Sequence, residues 1–74
     1  MFTPTETQLP SMGAALRAMR EGVGLTISEL ADRSGTTKST LSRFENGQRT
    51  ISADLLSRVA RAIADEAHAK RRVA

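Results

Sequence analysis

The sequence has no cysteine, tryptophan or tyrosine, one histidine, His68, and two phenylalanines, Phe2 and Phe44, among 74 residues. Without cysteine there is neither a disulfide framework nor a thiolate zinc site, and a lone histidine does not build a metal site by itself. No metal and no cofactor is therefore expected. Serine and glutamate are present, but without a histidine nearby they make no nucleophile–base set, so no catalytic residue is assigned and an enzyme is not expected. The scarcity of aromatic rings removes the platform on which unpaired bases stack. No apolar run approaches the roughly 20 residues of a membrane span, so no membrane association is expected. The N-terminus lacks the basic and apolar segments of a secretion signal, which makes a cytoplasmic protein the expectation.

A chain of this length makes one domain close to the lower limit for a core without covalent staples. That core must come from Leu, Ile, Val, Met, Ala and the two Phe. The formal net charge is +3 and the sequence pI about 10.6. The first 32 residues are net acidic, whereas residues 33–49 carry Arg33, Lys38, Arg43 and Arg49 against Glu45 alone. Residues 58–74 are again basic, ending in Lys70, Arg71 and Arg72. Segregated positive charge of this kind is the footprint of a polyanion binder. With no stacking platform, a duplex suits the chain better than a single strand. The C-terminal cluster is read as a solubilising tail, with a second backbone contact as the alternative.

Residues 1–10 carry Pro4 and Pro10 and no periodicity, and are read as a disordered tail preceding a domain over 11–74. Ser11 is the expected N-cap of a first helix whose apolar stripe is Met12, Leu16, Met19 and Val23, closed by Gly22 and Gly24. Thr26 and Glu29 form the capping box of a short second helix with Leu30, Ala31 and Ile27 on its buried side, stopped by Gly35. A third helix follows, with Thr36 as expected N-cap, Leu41 and Phe44 buried, and Gly47 just past its end. Ser52 caps a fourth helix from about residue 53 to about residue 70, carrying Leu55, Leu56, Val59, Ala60 and Ile63. No strand pattern occurs, so the fold is all-α, a compact bundle of four to five helices whose C-terminal end extends the last helix.

Between the second and third helices only two or three residues turn the chain. Gly35 supplies a positive φ without steric cost, and Ala31, four residues earlier, is small where the helices cross. Two helices so joined form a helix-turn-helix, whose second helix enters the DNA major groove. The stretch "LTISELADRSGTTKSTLSRFENG" resembles the helix-turn-helix of the lambda-repressor and Cro (XRE-type) regulators. The likeness extends through "LRAMREGVG" before it and "SADLLSRVARAIA" after it. Ala31, Gly35, Leu41, Phe44 and Glu45–Gly47 fall at the family's motif positions. Two residues depart: Ile27 stands where a phosphate-binding glutamine is frequent, and Ser34 where an apolar residue is usual, so looser packing is expected at the turn. The resemblance implies a bacterial or phage-encoded protein and a lambda-repressor-like domain.

On a helical wheel with Leu41 at the core, Ser39, Ser42, Arg43 and Asn46 fall on the outer face and Lys38 on its flank, while Thr37 leans inward at the helix N-terminus. Arg and Lys donate to guanine O6 and N7, and Ser to several base edges. Thr37, Lys38, Ser39, Ser42 and Arg43 are therefore the candidate base contacts, local capping being the alternative for Ser39. Thr26 and Ser28, with Asn46, Gln48, Arg49, Thr50 and Ser52, are the candidate phosphate contacts. Arg33 is read as a plain surface charge. Arg20 and Glu45 each lie beside a core position, where an unpaired charge is costly, so they are expected to face each other as a structural ion pair, a pairing the resemblance also implies. The expected function is a sequence-specific transcriptional regulator of double-stranded DNA, most simply a small stand-alone repressor. It is expected to bind a pseudo-palindromic operator as a homodimer, at least on DNA. The alternative is an antitoxin-type protein-interaction module that autoregulates by DNA binding.

Overall fold

Four helices make up the chain in a computed structural model that describes the backbone of residues 4–73 and the side chains of residues 12–71. They are α1 (Pro4–Gly22), α2 (Ile27–Ser34), α3 (Lys38–Glu45) and α4 (Ala53–Val73). The α2 start follows from Thr26: its hydroxyl accepts from the Glu29 N–H at 3.0 Å while Glu29 Oε1 accepts from the Thr26 N–H at 2.8 Å. Leu55 donates its N–H to Ser52 Oγ at 3.0 Å, which starts α4.

Each of the first three helices ends in a turn whose amides reach back to its last free carbonyls. At α2 the Thr36 N–H donates to the Ala31 carbonyl at 3.0 Å, and Gly35 sits at φ 70°. A Cβ is strained in that region, and an ordinary residue there would lengthen the connection. Leu25 N–H to Arg20 C=O (3.1 Å) and Gln48 N–H to Arg43 C=O (2.7 Å) close α1 and α3 in the same way. Only Gly35, Thr36 and Thr37 separate α2 from α3.

The core is aliphatic around one ring: Leu16 from α1, Leu25 from the first turn, Leu30 and Ala31 from α2, Leu41 and Phe44 from α3, and Leu55, Val59, Ala62 and Ile63 from α4. Through it α1 packs against α3, and α2 against both α3 and α4. Two buried ions run through this packing. Arg20 and Glu45 are only 9% and 7% exposed. Arg20 Nε donates to Glu45 Oε2 at 2.8 Å and Nη2 to Oε1 at 3.1 Å, while Nη1 donates to the Leu25 carbonyl at 2.9 Å. The hydrogen bond to Glu45, reinforced by its charge, holds the Arg20 guanidinium above its ordinary pKa against the opposing effect of burial.

Several expectations need correction. Helix occupies residues 4–10, where a disordered tail was expected, and only residues 1–3 of that tail lie outside the described residues. Pro4 stands in the first turn, where its missing N–H would have no partner anyway. Ser11 is therefore inside α1, not its N-cap. Two positions of the α1 stripe shift by one residue: Gly13 and Arg20 are buried while Met12 and Met19 are 47% and 51% exposed, whereas Leu16 is buried and Val23 half-buried against the core as expected. One residue is 100° on the wheel, enough to turn both methionines outward. The α3 N-cap is Thr37 rather than Thr36, because Thr36 is used in closing α2. On α4, Ala60 is exposed and Ala62 takes the buried position. Arg33 is not a free surface charge but pairs with Glu66 of α4 at 2.7 Å. Ser34 does not loosen the turn: it is 1% exposed, and its hydroxyl has no hydrogen-bond partner.

Two stability predictions follow from these buried polar groups. A buried hydroxyl without a partner costs about 1–3 kcal/mol, so Ser34→Ala should stabilise the domain by about 1 kcal/mol. That gain raises Tm by about 4–8 °C for a domain of this size. A lowered Tm would show that the hydroxyl is satisfied. Removing one member of the Arg20–Glu45 pair leaves an uncompensated charge in the core, so Arg20→Ala or Glu45→Ala should cost about 3–5 kcal/mol. Urea titration at neutral pH reads both variants, and midpoints equal to wild type would contradict a buried pair.

Candidate nucleic-acid interface

The inner face of α3 is occupied by Leu41, Phe44 and Glu45, all buried, so its outer face is what the domain presents. Thr37, Lys38, Ser39 and Arg43 are exposed and Ser42 is half-buried. Thr37 does not lean into the core. As N-cap its hydroxyl accepts from the Thr40 N–H at 3.1 Å and donates to Thr40 Oγ1 at 2.9 Å. Both hydrogen-bonding functions of that hydroxyl are thus turned along the helix, and Thr37 offers a contact surface rather than a free donor. Lys38 and Ser39 sit in the first turn, and Arg43 lies further along on the outer side.

The candidate phosphate-binding residues flank this face in two groups. Thr26 and Ser28 are exposed at the start of α2, where free backbone amides and the helix dipole favour an anion. The Thr26 backbone N–H, and then its hydroxyl, hold the neighbouring Glu29 carboxyl below the usual carboxylate range. A depressed pKa means that the capping box contributes fully at neutral pH and is lost as pH falls through the folded-state value. Asn46, Gln48, Arg49, Thr50 and Ser52 form the second group, all exposed in the connector after α3. Arg49 Nε donates to the Thr50 carbonyl at 3.1 Å, which directs part of its guanidinium along the connector. A cleft of about 210 Å³ lies there, lined by Phe44, Gly47, Gln48, Arg49 and Thr50.

Arg20 and Glu45 belong to the scaffold beneath this surface rather than to the surface itself. Sequence reasoning missed a third member of that scaffold, Gly13. It is buried in α1, and a Cβ built on it would collide with the Phe44 carbonyl oxygen and lie 3.0 Å from Glu45 C and Cα. A glycine inside a helix costs stability relative to alanine, and that cost was the available signal of a close backbone approach.

A larger groove of about 370 Å³ opens between α2 and α4, lined by Arg33, Arg58, Arg61, Ala62 and Asp65. Its arginines do not make it strongly basic, because Arg33 pairs with Glu66, Arg58 lies 3.4 Å from Asp54, and Asp65 lines the wall. The uncompensated cations near the turn are instead those of α3 and its connector. Among the described residues no helix is long and apolar enough to cross a membrane, and no cluster of three or more His, Cys, Asp or Glu could hold a metal ion.

Comparison with known proteins agrees with this geometry. The helix-turn-helix family model HTH_3 matches residues 16–64. The HTH-type transcriptional regulator Rv0474 of Mycobacterium tuberculosis is 41% identical over 51 residues, covering 69% of this chain and 36% of that protein. The HTH-type transcriptional repressor RghR of Bacillus subtilis is 44% identical over 43 residues, covering 58% and 32%. The chain thus spans about a third of the length of these curated relatives. The crystal structure of the clp gene regulator ClgR from Corynebacterium glutamicum superposes with a TM-score of 0.72 at 38% identity, covering 74% of this chain and 70% of that one. Each of these three proteins is named a regulator or repressor, and the chain belongs to the helix-turn-helix family HTH_3.

Proposed function

We propose that the protein is a sequence-specific double-stranded DNA-binding regulator, acting most simply as a cytoplasmic repressor that occupies an operator. The observation that carries this reading is the asymmetry of α3. Its inner face is fixed in the core, and its outer face offers two cations and two serine hydroxyls with no competing protein partner among the described residues. In the major groove, Lys38 and Arg43 donate to guanine O6 and N7, Ser39 and Ser42 bond base edges, and Thr37 supplies an apolar contact. Thr26 and Ser28 on one side, and Asn46, Gln48, Arg49, Thr50 and Ser52 on the other, hold the phosphates and set the register. That the relative RghR is a repressor supports the repressor form of the reading.

One short helix reads few base pairs, so two copies are expected on a pseudo-palindrome with half-sites about one helical turn (roughly 34 Å) apart. The distal part of α4, where Glu66 and Ala67 are half-buried and residues 68–71 exposed, is the proposed dimer contact.

Selection of bound duplexes from a random pool tests the reading directly, since a recovered motif reports both sequence and symmetry. On the recovered site, Arg43→Ala should cost about 1–3 kcal/mol and relax preference at one base pair. Arg49→Ala should weaken recovered and random duplexes about equally and lower the salt slope by about one unit. Equal losses on both duplexes for Arg43→Ala would make it a phosphate contact. A footprint of one chain on a single asymmetric half-site would contradict the dimer.

A further inference from the structure

We infer that Gly13 is a positioning residue for the recognition helix: the missing side chain at this place in α1 sets how α3 sits, and hence where its outer face meets the bases. The inference rests on the DNA-binding reading above and assigns Gly13 a part in it, although Gly13 touches no DNA itself.

The three atoms nearest to a side chain at Gly13 are all backbone. They are the Phe44 carbonyl oxygen, with which a Cβ collides, and the C and Cα atoms of Glu45 at 3.0 Å. A side chain in the way could change rotamer, but the backbone of the last turn of α3 can move only with the helix. Seven residues along α1, on the same face, Arg20 grips the Glu45 carboxylate at 2.8 and 3.1 Å. Thus α1 holds one turn of α3 at two points, about 10 Å apart along its axis. At the first point the backbones are in contact, and at the second two directional hydrogen bonds fix the distance.

The α3 helix is 8 residues long, about 12 Å, and its reading residues Lys38 and Ser39 lie at the end opposite this seat. A methyl group wedged at Gly13 shifts or tilts the seated turn, and a rigid helix carries that shift to its first turn. Hydrogen bonds to base edges weaken steeply over a few tenths of an ångström and with misalignment. Contacts from long side chains such as Arg49 to phosphates tolerate the same displacement. The wedge therefore acts on sequence preference more than on general affinity for DNA. Glycine-to-alanine exchange inside a helix is ordinarily stabilising, so the expected effect runs against the general rule.

The test uses the full chain, a duplex recovered by selection, and a scrambled duplex of equal length. Wild type, Gly13→Ala and Leu16→Ala are compared well below their melting midpoints, with the folded fraction measured for each. Leu16→Ala weakens α1 packing without any wedge against α3. Gly13→Ala should lose about tenfold or more on the selected duplex and less than about threefold on the scrambled one. Leu16→Ala should lose both only in proportion to its unfolded fraction. If Gly13→Ala does not fold, Glu45→Asp decides, because it shortens the other grip by one methylene with no collision. The same split between selected and scrambled duplex is expected there. Unchanged discrimination in the folded variant overturns the inference, as do losses on both duplexes that simply follow the folded fraction. A wild type that recovers no preferred duplex removes the DNA-binding reading and the inference with it. A preferred duplex that the variants read as wild type does removes the inference alone.

Discussion

A guanidinium and a carboxylate, both taken out of water, bind the last turn of α3 to α1. Desolvating such a pair costs several kcal/mol per ion, and only good geometry with additional hydrogen bonds offsets it. Here the geometry is bidentate at 2.8 and 3.1 Å, and the third arginine nitrogen is satisfied by the Leu25 carbonyl at 2.9 Å. One side chain thereby connects the end of α1, the turn leading into α2 and the end of α3. An apolar contact of similar area would hold these elements with less directional definition. The division of α3 into a fixed inner face and an open outer face depends on this pair together with Leu41 and Phe44.

The rest of the domain achieves order with little material. A chain of this size buries a small core, so small terms matter. The capping box at Thr26, the cap at Thr37, and the back-bonded turns at Gly24–Leu25, Gly35–Thr36 and Gly47–Gln48 satisfy amides and carbonyls that would otherwise compete for water. Arg33 and Glu66 tie α2 to α4 at 2.7 Å, but their partial exposure limits what the pair contributes. Among the described residues Ser34 stands apart as the one buried side-chain polar group without a partner.

Sequence reading worked where local chemistry decides the outcome. The Thr26–Glu29 box, the left-handed Gly35 and the Leu41–Phe44 spacing each imply their geometry without reference to distant residues. It failed where distant partners decide. Along α1, hydropathy favours Met12 and Met19, yet the face that meets α3 is Gly13, Leu16 and Arg20. Gly13 is buried because the Phe44 carbonyl lies opposite it, which α1 alone does not show, whereas the helical wheel did place Arg20 beside the core facing Glu45. Of two adjacent threonines the sequence favoured Thr36 as the α3 cap, but Thr36 closes α2 and the cap falls to Thr37. Arg33 looked solitary because its partner lies 33 residues away. Of the recognition face, the exposure of Lys38, Ser39 and Arg43 was legible in the wheel, whereas the outward turn of Thr37, the half-burial of Ser42 and the hydrogen bonds that use up the Thr37 hydroxyl were not.

On the proposed reading α3 presents its outer face to duplex DNA while its inner face stays locked to α1. Titrating the isotopically labelled protein with a selected duplex, and following backbone amides together with arginine Nε–H signals by NMR, tests both halves at once. Large shifts are expected at residues 37–43, with smaller ones at 26–28 and in the connector 46–52, while the Arg20 Nε–H signal stays unchanged and protected from exchange. Shifts centred on the Arg58–Arg61 side of α4, or an Arg20 signal that is lost on binding, would contradict it.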